Sequence, residues 1–164
     1  MKDTLEECCP KFDIKKWDKK LFQWKNKKFI KETIPEFFHI PFPPIINKKV
    51  TKMMNLAKDA KCLNPNKEEI LLLFKDLNPF LGEISLSVTD NVPRAKNSTL
   101  SGTFISKVFE GAFKEIPKFI KKMDSYLKEQ GKQTKSYYIH YAYCPKCAKK
   151  FGHNFMILFA EIKA

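Results

Sequence analysis

Two cysteines three positions apart, Cys144 and Cys147 in the run CPKC, carry the most specific chemistry in this chain. Thiols at that spacing, in a turn between strands, can aim both sulfurs at one metal ion, and zinc is the usual occupant. A second pair, the adjacent Cys8 and Cys9 in CCPKFD, lies near the N-terminus. If that segment folds back on the last hairpin, four thiolates converge, and His153 could replace one of them. Cys8, Cys9, Cys144 and Cys147 are therefore candidate ligands of a structural zinc. A redox pair is a second reading, although KKFGHN after the motif is not the strand-to-helix setting of a redox CxxC. Two plain thiols on a lysine-rich loop are the third. Cys62 has no partner in sequence and fits a small core residue.

The remaining candidates are carboxylates, rings and a histidine. In NFMILFAEI, alternation puts Phe155, Ile157, Phe159 and Glu161 on one strand face, and Met156, Leu158, Ala160 and Ile162 on the other. A carboxylate among aromatic rings loses solvation and its pKa rises, which suits a general acid, a base or a cation receptor. Glu161, three residues from the end, equally fits a group pointing into water. In SYYIHYAY, Tyr137, Ile139, Tyr141 and Tyr143 share a face. A hairpin setting Tyr141 near Ile157 and Tyr137 near Glu161 would gather tyrosines and the carboxylate into one patch for flat or cationic ligands. Ordinary strand aromatics are the alternative. His39, in FFHIP where the first strand ends, and Glu110, at the matching place in the second half, add a ring nitrogen and an acid near the groove mouth.

The elements that must position these groups recur. Apolar residues at helical spacing predict helices over roughly residues 45–61 and 115–130, with Pro117 in a first turn and Gly131 as a stop. The flanking segments repeat at one offset of about 70 residues: FIKETIPEFFHIPF and GTFISKVFEGAF before the helices, then EEILLLF and GEISLSV, or SYYIHYAY and NFMILFAEI, after them. The expectation is an α+β domain of two β-α-β-β repeats forming one antiparallel sheet. Both helices lie on one face, and the other face supplies a ligand groove between repeats. Residues 1–25 form an N-terminal arm, 26–90 the first repeat and 98–164 the second, all within one domain spanning 1–164. TDNVPRAKNSTLS joins the repeats.

Composition narrows the function. With 164 residues, 43% hydrophobic and 15 Phe, the chain can bury a real core, so disorder is excluded. No apolar run is long enough to span a membrane. The charged start MKDTLEECCPKFD is no export signal, and a cytoplasmic location is the expectation. The net charge of +13 suggests nucleic acid, but Arg94 is the only arginine, and arginine makes most specific base and phosphate contacts. A solvated lysine surface is the preferred reading, with a zinc-stabilised, lysine-rich nucleic-acid binder as the alternative. Five glycines, and no GxSxG, P-loop, HExxH or GxGxxG, leave no phosphate cradle or familiar hydrolase motif. No cofactor is required beyond the candidate structural zinc.

The second repeat, GTFISKVFEGAFKEIPKFIKKMDSYLKEQG, resembles the GyrI-like small-molecule-binding family. Strand-end FEGAF (Phe109 to Phe113) and final-strand AEI (Ala160 to Ile162) match its patterns. A subgroup of stand-alone members named simply hydrolase is similar at CCPKFD, KWDKKLFQWKNKKFIK, FFHIP, LSGTFISKVFEGAFK and CPKCAKKFGHN, so the resemblance spans roughly Cys8 to Ile162. FPPIIN after FFHIP, and NPFLGEI where relatives carry an aromatic-Gly segment, depart from it. The resemblance implies an aromatic-lined groove for hydrophobic or cationic small molecules. In some stand-alone relatives it implies hydrolytic opening of strained cyclopropane rings. On that reading Glu161 is the acid, Tyr137 and Tyr141 are polarising or stacking groups, and His39, Phe109, Glu110, Tyr141, Phe155 and Phe159 contact the ligand. No DNA-reading helix-turn-helix accompanies them.

Overall fold

The computed structural model describes residues 9–163. A one-turn helix α1 (Ile14–Trp17) leads into β1 (Lys20–Phe37), β2 (Ile40–Pro41), α2 (Pro43–Asp59), β3 (Leu72–Asn78) and β4 (Leu81–Ser87). Then come β5 (Lys96–Glu110), α3 (Ile116–Glu129), β6 (Thr134–Tyr141), α4 (Pro145–Phe151) and β7 (Phe155–Ile162). Both long helices begin with proline in the first turn, where its missing N–H costs nothing. α3 stops where expected, at Gly131 with φ +67°.

All pairings are antiparallel, in the order β1-β4-β3-β6-β7-β5, and β5 returns to β1, so six strands close into a barrel-like sheet. Closure depends on β1. Its 18 residues pair with β5 through Lys20 to Lys31 and with β4 through Phe29 to Pro35. A bulge between Trp24 and Lys27, with Asn26 at φ +50°, bends the strand so that it can serve both neighbours. β1 thus starts at Lys20, inside the segment read as an arm.

Closure removes the free sheet face expected to be the groove. The inner face is filled by Phe29, Leu73, Phe104, Tyr138, Ile157 and Phe159, capped by Trp17 from α1. Trp24 packs against this cluster, 4.4 Å from Phe104 between ring centroids. Each such side chain withdrawn from water contributes roughly 1.5–3 kcal/mol, so an open floor of these residues would be unstable.

The helices pack outside. α2 sets Met53 and Ala57 on Ile30, Ile34, Ile84 and Leu86 of β1 and β4. α3 sets Phe119, Met123 and Leu127 on Ile105 and Phe109 of β5 and on Met156, Leu158 and Ala160 of β7. Between them run β3 and β6, joined only by Leu73 with His140 and Phe74 with Ile139. The order strand, helix, strand, strand occurs twice, as β1-α2-β3-β4 and β5-α3-β6-β7, but not at one offset: α4 stands between β6 and β7, whereas β3 and β4 are joined directly through Pro79 and Phe80. Among the described residues, no helix is long and apolar enough to cross a membrane.

Candidate functional site

A cavity of about 1340 Å³ opens on the helix side of the sheet, along the seam between β3 and β6. α2 contributes Ile46, Val50 and Met54 to one wall. Leu72 and Phe74 of β3, and His140 and Tyr141 of β6, make the floor. The segment before α1 supplies Cys9 and Phe12, and the connection after β6 supplies Tyr143 and Cys144. Largely apolar walls with a few polar groups are what ligand cavities generally have.

The aromatic end of the cavity is built on Tyr141. Its ring meets Phe74 edge to face at 5.2 Å and stacks over Phe113 at 6.4 Å. Burial raises its hydroxyl pKa, and the negative charge of Glu36 adds to the rise. Glu36 stands behind this end, paired across the β1–β2 hairpin with Pro41, which lines the cavity. Burial and the Asp76 carboxylate push Glu36 up to about 7, with the His39 ring opposing them. Glu36 Oε2 is buried without a hydrogen-bond partner among the described residues. Gly82 lies beneath it, and a Cβ there would collide with the carboxylate.

Glu36, His39 and Asp76 form one cluster, their ligating atoms within 4.8 Å of one another. His39 Nδ1 bonds the Asp76 carboxylate. The hairpin turn that presents His39 places Phe38 at φ +48° and His39 at φ +66°, the geometry of a tight turn between twisted strands. Phe37, Phe38, Ile40 and Phe80 are exposed around it.

At the seam, His140 Nδ1 lies 3.1 Å from the Leu72 N–H and 3.3 Å from the Leu72 carbonyl oxygen, so the ring is held by the Leu72 backbone. Burial holds this histidine down at about 4, so it is neutral at physiological pH.

The sequence candidates do not assemble as one patch. β6 and β7 pair Ser136 with Glu161, Tyr137 with Ala160 and Tyr141 with Met156. That is one residue away from the expected register, and a one-residue slip exchanges faces. Glu161 lies on the inward-facing side at the strand end, accepting from Ser136 Oγ at 3.0 Å with Lys135 Nζ at 3.6 Å. Tyr137 faces α3, where its hydroxyl donates to Asp124. Neither lines the cavity.

Three of the expected ligand contacts are packing residues. Phe109 stacks on Phe119 of α3 at 4.9 Å. Phe159 is fully buried inside the barrel. Phe155 is sandwiched by Phe12 at 5.3 Å and His153 at 5.0 Å. Glu110 accepts from His153 Nδ1 at 2.6 Å, outside the cavity wall. Of the ligand-contact candidates, Tyr141 alone lines the cavity, with His39 beside its aromatic end. Glu36 and Asp76 were missed; the signal was a glutamate three residues before His39 in one tight turn.

The cysteines do gather. Cys9, Cys144 and Cys147 bring their sulfurs within 4.8 Å of one another, and Cys8 lies outside the described residues. Cys144 begins α4 rather than sitting in a hairpin turn, because Pro145 starts a helix that ends at Gly152 with φ +71°.

A closed antiparallel sheet, two outer helices and a cavity at the seam fit the GyrI-like fold that the sequence resembles. The C-terminal domain of EcmrR superposes with a TM-score of 0.63 at 10% identity, covering 90% of this chain and 98% of that one. A hydrolase from Listeria innocua gives 0.60 at 10%, covering 89% and 92%. SAV2435 bound to tetraphenylphosphonium gives 0.50 at 14%, covering 90% and 94%. No curated protein matches the chain by sequence. Within this fold the chain belongs to the bacterial hydrolase family, which matches residues 1–162.

Proposed function

We propose that this protein binds flat, apolar small molecules, uncharged or cationic, in the cavity between α2 and the β3–β6 seam. The observation that carries the reading is the aromatic end itself: Phe74, Tyr141 and Phe113 around one cavity, with the Glu36 carboxyl behind them. Rings of this kind stack on flat ligands, and ring faces attract cations. SAV2435, which shares the fold, is bound to tetraphenylphosphonium, an aromatic cation. The net charge of +13 disfavours cations at long range, but that field is screened beyond about 8 Å at physiological salt. The apolar walls and the local acid then decide.

Calorimetric titration with tetraphenylphosphonium, and with a neutral aromatic of similar size, tests the reading. Saturable binding that Met54→Trp weakens by narrowing the cavity is the expected result. Binding unaffected by Met54→Trp, or none at all for either probe, would reject it.

Hydrolysis is the second reading. The Glu36–His39–Asp76 cluster favours it, because a carboxyl with a pKa near 7 keeps a proton to donate at neutral pH. On this reading water adds to an electrophilic carbon, such as one in a strained ring, the carboxyl protonates the group that leaves, and the carboxylate so formed takes up the proton that the water loses. Loss of turnover in Glu36→Gln with binding retained would support it; turnover equal to wild type would eliminate it.

A further inference from the structure

We infer that Cys9, Cys144 and Cys147 hold a zinc ion that staples the N-terminal segment to the start of α4. Nothing in the small-molecule reading requires it.

The spacing argues first. The three sulfurs lie within 4.8 Å of one another although Cys9 and Cys144 are 135 residues apart in the chain. A zinc–sulfur bond of about 2.3 Å at tetrahedral angles puts sulfurs about 3.8 Å apart, whereas a disulfide needs about 2.05 Å. Sulfurs within 4.8 Å of one another are within reach of that ligand spacing.

The surroundings argue next. The Cys144 N–H donates to Cys9 Sγ at 3.3 Å, the kind of amide contact that orients and stabilises a thiolate ligand. The arm is already docked: the Phe12 N–H donates to the Tyr143 hydroxyl at 2.8 Å, and the two rings meet edge to face at 6.4 Å. Cys147 is buried, in one cluster with Tyr143 and Phe155. Sulfur donors of this sort select zinc and other soft ions over magnesium or calcium.

The consequence reaches the cavity, because Cys9, Phe12 and Cys144 belong to its wall. A metal at the cysteines fixes that wall.

The test is elemental analysis of the full chain, purified in reductant without added metal. The expected content is about one zinc per chain, falling below about a tenth in Cys9→Ser and Cys147→Ser and unchanged in Cys62→Ser. Cobalt loading of the wild-type chain provides a readout that does not need the variants to fold. A thiolate-to-cobalt charge-transfer band with tetrahedral d–d bands is expected. Wild-type protein with less than about a tenth of a zinc, fully reduced thiols and no thiolate band on cobalt loading would overturn the proposal. So would a disulfide among these cysteines in the purified chain.

Discussion

Phe74 and Tyr141 meet edge to face, 5.2 Å apart, across the seam where β3 pairs with β6. They are the floor on which a flat ligand would rest. Tyr141→Ala should therefore weaken binding of tetraphenylphosphonium by about tenfold or more, because stacking and burial are lost together. Tyr141→Phe should cost much less. Calorimetry on the two variants checks this, with thermal unfolding as a control for stability.

Glu36 makes the pH dependence of the site specific. Its folded pKa of about 7 lies above its ordinary value of 4.5, so the folded chain holds an extra proton between those limits. Its contribution to stability thus falls as pH rises from about 4.5 to about 7, and the deficit is complete above that window. Glu36→Gln should be more stable than wild type by about 1 kcal/mol in mild alkali, solvent screening having reduced the full linkage value, and should gain nothing below the window. Urea midpoints at two pH values measure it. Cation affinity should rise through the same window in wild type and stay flat in Glu36→Gln.

His140 has the opposite sign. Its folded pKa of about 4 lies below 6.5, so the unfolded chain binds the extra proton between those values. Stability from this group is present above about 6.5 and is lost as pH falls towards about 4. His140→Asn keeps an acceptor for the Leu72 N–H but cannot titrate. It should show a shallower loss of stability on acidification, read from denaturant midpoints across that range.

Phe159 separates core from site. It fills the barrel, touching Trp17, Phe22 and Trp24 with its ring. Phe159→Ala should cost about 3–5 kcal/mol of stability, the usual price of an aromatic deleted from a tight interior. Glu161→Gln and Tyr137→Phe should leave ligand affinity unchanged, since neither group lines the cavity. Affinity measured beside unfolding curves distinguishes these cases.

How far the sequence could be read follows from which interactions are local. Helix α3 was legible because Pro117, the apolar stripe through Phe119, Met123 and Leu127, and Gly131 all act within one segment. The two faces of β7 were legible for the same reason: alternation separates Ile157 and Phe159 inside from Met156 and Leu158 outside. The partner of Tyr137 was not legible. Pairing with Ala160 instead of Glu161 depends on the α4 connection and on the bulge between Thr134 and Ser136. Closure was hidden too, because it rests on β1 reaching both β4 and β5 around a bulge. Once the sheet closes, the expected groove face becomes core and the cavity moves to the seam between the helices. The gathering of Cys9 with Cys144 was suggested by residue type alone, since a docked arm was the single fold-back that could join them.

The most direct measurement is a chemical-shift titration of isotopically labelled protein with tetraphenylphosphonium. The cavity reading predicts saturable shifts concentrated at Val50, Met54, Leu72, Phe74 and Tyr141, with the barrel residues Phe29, Phe104 and Phe159 unmoved. Shifts confined to the neighbourhood of Glu161 and Ser136, or none at ligand excess, would contradict it.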